Sequence, residues 1–162
     1  MPNDNKNEND LLSIGEAHFN KGEYEEAIKV LSELVKLNPN NEEGLGLLGE
    51  SYFRNGQCEE AKKIALKLTE LNPNNYDGWA SLGVSYFENG EYDKAIEYLL
   101  KAVELNPKDF EGWDWLGASY FENGDYDKAI EYLLKAIELT PNDNYVLYML
   151  GYCYEEKRQY KE

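Results

Sequence analysis

The sequence predicts an all-α protein, a right-handed superhelical solenoid of antiparallel helix pairs. Three observations lead there. Pro39, Pro73, Pro107 and Pro141 stand 34 residues apart, and a fixed period of that length marks stacked copies of one supersecondary unit. The stretch Trp113 to Pro141, WDWLGASYFENGDYDKAIEYLLKAIELTP, nearly duplicates Trp79 to Pro107, WASLGVSYFENGEYDKAIEYLLKAVELNP. Within each copy, apolar residues recur at helical spacing on two successive segments, and each segment ends in a helix-stopping residue.

Taken in order, residues 1–7 have almost no apolar side chain, so a disordered polar tail is expected there. The array then occupies 8–162, as repeats 8–41, 42–75, 76–109 and 110–143 and a partial capping repeat 144–162. Positions within a repeat are numbered 1 to 34, with proline at 32.

The third repeat shows how each unit is built. Trp79, Leu82, Gly83, Tyr86 and Phe87 fall on one face of a first helix. Asn89-Gly90 stops it, because glycine takes up the left-handed conformation that closes a helix. Ala95, Ile96, Leu99, Ala102, Val103 and Leu105 form the stripe of a second helix, which ends at Asn106-Pro107 because proline disfavours helix in the residue before it. Asn74 or Asn75 is placed to cap the helix that opens this repeat, with Asp77 complementing its dipole. The fourth repeat reads the same way, with Asn123-Gly124 and Pro141. The fifth offers only a first helix, from Tyr145 to about Glu156. A half-formed repeat leaves one face unfinished, so either a fragment of a longer protein or self-association through that face is expected.

Small residues make the packing possible. Gly83 and Gly117 cost about 1 kcal/mol each against alanine inside a helix, and close approach of a neighbouring helix is the expected compensation.

The spacing W-x2-L-G-x2-Y, followed by alanine, a large apolar residue and proline, resembles the tetratricopeptide repeat. Trp113, Leu116, Gly117, Tyr120, Ala129 and Pro141 carry the resemblance, as do Trp79, Leu82, Gly83, Tyr86, Ala95 and Pro107. Leu99 and Leu133 stand where the family usually has an aromatic. Repeat two has Leu45 for tryptophan and Ala65 for the large residue, and repeat one has His18 for tyrosine. The resemblance implies a non-enzymatic module that holds a segment of another protein. A regulatory or substrate-docking arm of a larger enzyme, and a consensus-derived scaffold without ligand, are the alternatives.

Charge narrows the partner. Sixteen basic residues against 32 acidic ones leave a net charge of −16, which repels nucleic acid and anionic membrane surfaces. A basic or apolar protein segment is the expected partner. No apolar run is long enough to span a bilayer. Cys58 and Cys153 lie far apart without metal-ligand spacing, which favours a reducing cytoplasm and no metal. His18, the single histidine, sits at a packing position, the carboxylates lie on helix faces beside lysines, and no phosphate-binding glycine motif occurs. No catalytic residue and no cofactor are expected.

Repeats three and four differ at nine of their 34 positions. Three of these differences adjoin on one helix surface: Ala80 against Asp114, Ser81 against Trp115, and Val84 against Ala118. The resemblance implies that positions 2, 5, 9, 12 and 13 of the first helix line a concave peptide-binding groove. The residues expected to line it are Glu50, Phe53, Asp77, Phe87, Glu111, Asp114, Trp115, Ala118, Phe121, Tyr148 and Tyr152. An aromatic floor among carboxylates suits a peptide carrying lysine or arginine plus apolar anchors. The lysine and asparagine clamp by which chaperone-binding relatives grip a terminal carboxylate is replaced here by Leu12, Glu16, Gly46, Glu50, Ala80 and Asp114.

Overall fold

The structure is a computed structural model in which residues 4–159 are described. Among them are nine α-helices and no strand: α1 (Asp4–Asn20), α2 (Tyr24–Leu37), α3 (Glu42–Arg54), α4 (Cys58–Leu71), α5 (Tyr76–Glu88), α6 (Tyr92–Leu105), α7 (Phe110–Glu122), α8 (Tyr126–Leu139) and α9 (Asn144–Gln159). The all-α repeat architecture expected from the sequence is present. Residues 1–3 of the expected tail lie outside the described residues. From Asp4 onward, however, the chain is helical. Extending a helix that is already nucleated adds one hydrogen bond per residue and needs no apolar burial.

The turn inside each pair has one cause. Gly22, Gly56, Gly90 and Gly124 adopt φ of 76°, 76°, 74° and 80°, and every other positive-φ position is absent among the described residues. A side chain at these points would meet the left-handed penalty of about 1–2 kcal/mol. The turn between repeats is closed by the residue at position 34. Asn41 Oδ1 accepts from the Gly44 N–H at 2.8 Å, Asn75 Oδ1 from Gly78 at 2.9 Å, and Asp109 Oδ2 from Gly112 at 3.0 Å. Asn75, rather than Asn74, is therefore the cap of α5. A further bond joins repeat to repeat: the Trp79 indole N–H donates to the Pro73 carbonyl at 2.8 Å, and that of Trp113 to the Pro107 carbonyl at 3.0 Å.

The chain divides into two compact units, one ending at Ser81 and the other beginning at Leu82. In the first, the fully buried Ala27, Leu31 and Leu34 form a core with Leu48, against which Leu12, Phe19, Tyr52 and Ile64 pack. A side-chain bond spans each helix pair here: Asn38 Nδ2 donates to Glu8 at 2.9 Å and Asn72 Nδ2 to Glu42 at 2.9 Å.

In the second unit, Leu99, Leu116, Leu133, Ala136, Val146 and Cys153 are fully buried in one core. The helix glycines explain how the pairs meet. A Cβ on Gly83 would lie 2.5 Å from Leu99 Cγ, and one on Gly117 would lie 2.6 Å from Leu133 Cγ. The leucine of the second helix thus sits against the bare backbone of the first. Tyrosines pack alongside: Tyr86 stacks on Tyr98 and Tyr120 on Tyr132, each at 5.3 Å between ring centres.

Candidate functional site

The second unit gathers most of the residues expected at a groove. Trp115 on α7 meets Phe87 on α5 edge to face, with ring centres 5.2 Å apart. Phe121, two turns along α7, meets Tyr152 on α9 in the same manner at 5.5 Å, and Tyr152 lies 6.2 Å from Tyr148. Edge-to-face pairs are the favoured aromatic arrangement. Phe87 and Phe121 also touch Tyr92 and Tyr126 of the following helices. The position-12 phenylalanines Phe87 and Phe121 therefore pack the turns of the repeats, and they are only partly buried. Tyr148 is 65% exposed and Tyr152 42%, so the strip presents open aromatic surface along α9.

Asp114 stands beside Trp115 on the first two turns of α7. Its Oδ1 is sealed from solvent and has no hydrogen-bond partner in the protein. Burial pushes its carboxyl up to about 6 from an ordinary value near 3.8, with the charges of Asp143 and Glu111 adding to the rise. Asp143 is itself committed: its Oδ1 caps α9, accepting from the Tyr145 N–H at 2.9 Å and the Val146 N–H at 3.0 Å. Tyr145 completes the surroundings, its hydroxyl raised above the usual range by burial and then by Asp114 and Glu122. A buried carboxylate left unpaired costs free energy that an incoming cation recovers.

Not every expected residue faces outward. Ala118 is only 3% exposed and belongs to the core of the second unit with Val146 and Met149. Its methyl group is too short to reach beyond its larger neighbours, so it offers no surface to a ligand. Glu111 is exposed. Glu50, Phe53 and Asp77 belong to the first unit. There Glu50 is exposed and bonded to Arg54 at 3.2 Å, Phe53 is half-buried, and Asp77 is exposed.

What sequence reasoning missed is the part played by Asp143, which ends the repeat of Asp114, and by Tyr145, which lies in the next one. The signal was available. Position 34 caps the next helix, so an acid there stands close to position 5 of its own repeat's first helix. Among the described residues no cluster of histidine, cysteine or acidic side chains could hold a metal ion, and no helix is long and apolar enough to cross a membrane.

Comparison with known proteins places the architecture. Models described as tetratricopeptide repeat match residues 47–110, 110–143 and 132–162, and one described as TPR repeat matches residues 15–56. No match is found among curated protein sequences. Among solved structures, a crystal structure of MamA is 31% identical over 89% of this chain and 84% of its own, with a TM-score of 0.82. Another, of MamA protein, is 29% identical over 94% and 84%, with a TM-score of 0.85. Pseudomonas aeruginosa pilF shares the fold with a TM-score of 0.83 at 19% identity, over 97% of this chain and 72% of its own. The chain belongs to the tetratricopeptide repeat family and is, in kind, a module for interaction with other proteins.

Proposed function

We propose that the second unit binds a segment of another protein along Phe87, Trp115, Phe121, Tyr148 and Tyr152, and that a lysine or arginine of that segment pairs with Asp114. The observation that carries the reading is Asp114 Oδ1, shielded from water and unpaired, at the edge of an exposed aromatic strip. A guanidinium or ammonium arriving there gains a charge-assisted hydrogen bond and an aromatic face together. The excess of acidic residues over the whole chain steers a basic segment toward it. Glu111 adds a carboxylate on the same unit, and the first unit carries acidic and aromatic groups of the same kind in Glu50, Phe53 and Asp77. No catalytic step belongs to this reading. Cys58 and Cys153 are free thiols, which fits a reducing cytoplasm, and that compartment is part of the proposal.

Titration with peptides carrying a basic residue beside apolar anchors, followed through the Trp115 indole emission, tests it. Saturable quenching is expected, and calorimetric titration of the variants is expected to show affinity falling at least tenfold for Asp114→Lys and for Trp115→Ala. A flat titration, or variants that bind as well as the parent, would sink it.

A further inference from the structure

The turns inside the second, third and fourth helix pairs each carry an Asn-Gly step at positions 14 and 15: Asn55-Gly56, Asn89-Gly90 and Asn123-Gly124. All six residues are exposed. An asparagine before glycine is prone to lose its side-chain amide, because the glycine has no Cβ to hinder attack by its own backbone nitrogen. In the folded turn that nitrogen is engaged. The Gly56 N–H donates to the Phe53 carbonyl at 2.9 Å, that of Gly90 to Phe87 at 2.8 Å, and that of Gly124 to Phe121 at 2.9 Å. The reaction therefore waits on local opening, and it runs fastest where the turn is held least.

The three turns are held unequally. In the third and fourth repeats the position-12 ring meets a tyrosine at position 17 across the turn, Phe87 with Tyr92 at 5.5 Å and Phe121 with Tyr126 at 5.6 Å. The first repeat has the same clasp, Phe19 with Tyr24 at 5.7 Å. In the second repeat position 17 is Cys58, so Phe53 finds no ring there. The side-chain amides differ as well. Asn123 Nδ2 donates to Asp93 Oδ1 of the preceding repeat at 3.1 Å. Asn55 Nδ2 donates to the exposed Gln57 Oε1 at 3.4 Å, a longer and weaker bond.

We propose that Asn55 is a site of spontaneous deamidation, with water as the co-reactant, and that it reacts ahead of Asn89 and Asn123 because its turn lacks the aromatic clasp. When the turn opens, the Gly56 backbone nitrogen gives its proton to a solvent base and bonds to Asn55 Cγ. The Cγ–Nδ2 bond breaks, and Nδ2 takes up a proton and leaves as ammonia. The product is a five-membered succinimide. Water adds to one of its two carbonyl carbons and that carbon's bond to nitrogen breaks, which leaves aspartate or isoaspartate. Nothing is oxidised or reduced, and the chain gains one negative charge. That charge falls at the C-cap of α3, where the helix dipole opposes it. The isoaspartate form also adds a methylene to the main chain, so the modified turn is weaker than the parent.

The test is incubation of the full chain at mildly alkaline pH under a thiol reductant, with conversion at each asparagine followed by mass spectrometry of proteolytic peptides. Asn55 is expected to convert about two- to tenfold faster than Asn89 or Asn123, the factor that one aromatic pair contributes. In urea, where no turn is held, the three sites are expected to react at similar rates. Cys58→Tyr supplies the missing ring and is expected to slow Asn55 to the rate of Asn89. Asn55 reacting no faster than the other two in the folded chain would overturn the inference, and that comparison needs no variant. So would a lead for Asn55 that persists in urea, since the fold would then not be its cause. A Cys58→Tyr protein that is folded by circular dichroism and converts Asn55 at the parent rate would overturn it too.

Discussion

Gly117 and Gly151 occupy the same position of successive repeats, and alanine at each is expected to act in opposite directions. Inside a helix, alanine is favoured over glycine by about 0.8–1 kcal/mol. At Gly151 nothing opposes that gain, since a Cβ there has no neighbour within 4 Å, so Gly151→Ala is expected to stabilise by close to the full amount. At Gly117 the new methyl lies 2.6 Å from Leu133 Cδ2 and Cγ and 3.2 Å from the Leu133 backbone nitrogen. The leucine can rotate but the backbone cannot, and overpacking of this kind costs about 1–3 kcal/mol. Subtracting the propensity gain leaves Gly117→Ala destabilising by about 0–2 kcal/mol. The pair is therefore separated by about 1–3 kcal/mol, although the sequence change and repeat position are the same. Urea denaturation followed by circular dichroism measures both, read as a shift in midpoint at constant slope. Equal midpoints for the two variants would refute the close-approach account of these glycines.

Asp114 sets a pH dependence whose sign is opposite to that of a salt-bridged carboxylate. Its folded pKa of about 6 lies above the ordinary 3.8, so between those values the native state holds a proton that the unfolded chain has released. Stability from this group is then lost as pH rises through that window. With solvent screening taken into account, Asp114→Asn is expected to stabilise by about 1 kcal/mol at pH 7 and to flatten the profile between pH 4 and 6, as thermal melts across that range would record. Binding of a basic peptide needs the ionised carboxylate and so strengthens as pH rises through about 6. Gly124→Ala, at φ 80°, is expected to cost about 1–2 kcal/mol even though a Cβ there meets nothing within 4 Å. An unchanged midpoint would show that the turn is not held in that conformation.

The fold was legible because its determinants are local and periodic. The prolines, the turn glycines and the spacing of Leu82, Gly83 and Tyr86 each report a constraint within one repeat, and the period multiplies the signal. The site was harder to read because it joins residues from adjoining repeats. Trp115 was recognisable by difference from Ser81, but its contact with Phe87 comes from the helix pair before it. The isolation of Asp114 depends on Asp143 and Tyr145 from the segment after it. Ala118 looked like a ligand position because it differs from Val84. That difference alters the packing beneath the surface, and a comparison of letters cannot tell the two apart. The Trp–Pro bonds were invisible for another reason: both residues already had local explanations, as core aromatic and as helix stop.

Those bonds also bear on how such an array changes length. The indoles of Trp79 and Trp113 reach back six residues to the carbonyls of Pro73 and Pro107. One residue inserted in the first helical turn, between Tyr76 and Trp79 or between Phe110 and Trp113, would rotate the indole by about 100° relative to the start of the helix and swing it off its acceptor. Growth or loss of single residues there is thus penalised at both of these junctions. An array tied in this way gains or sheds material in whole 34-residue units, and near-identical neighbours such as repeats three and four are the form that such duplication leaves behind.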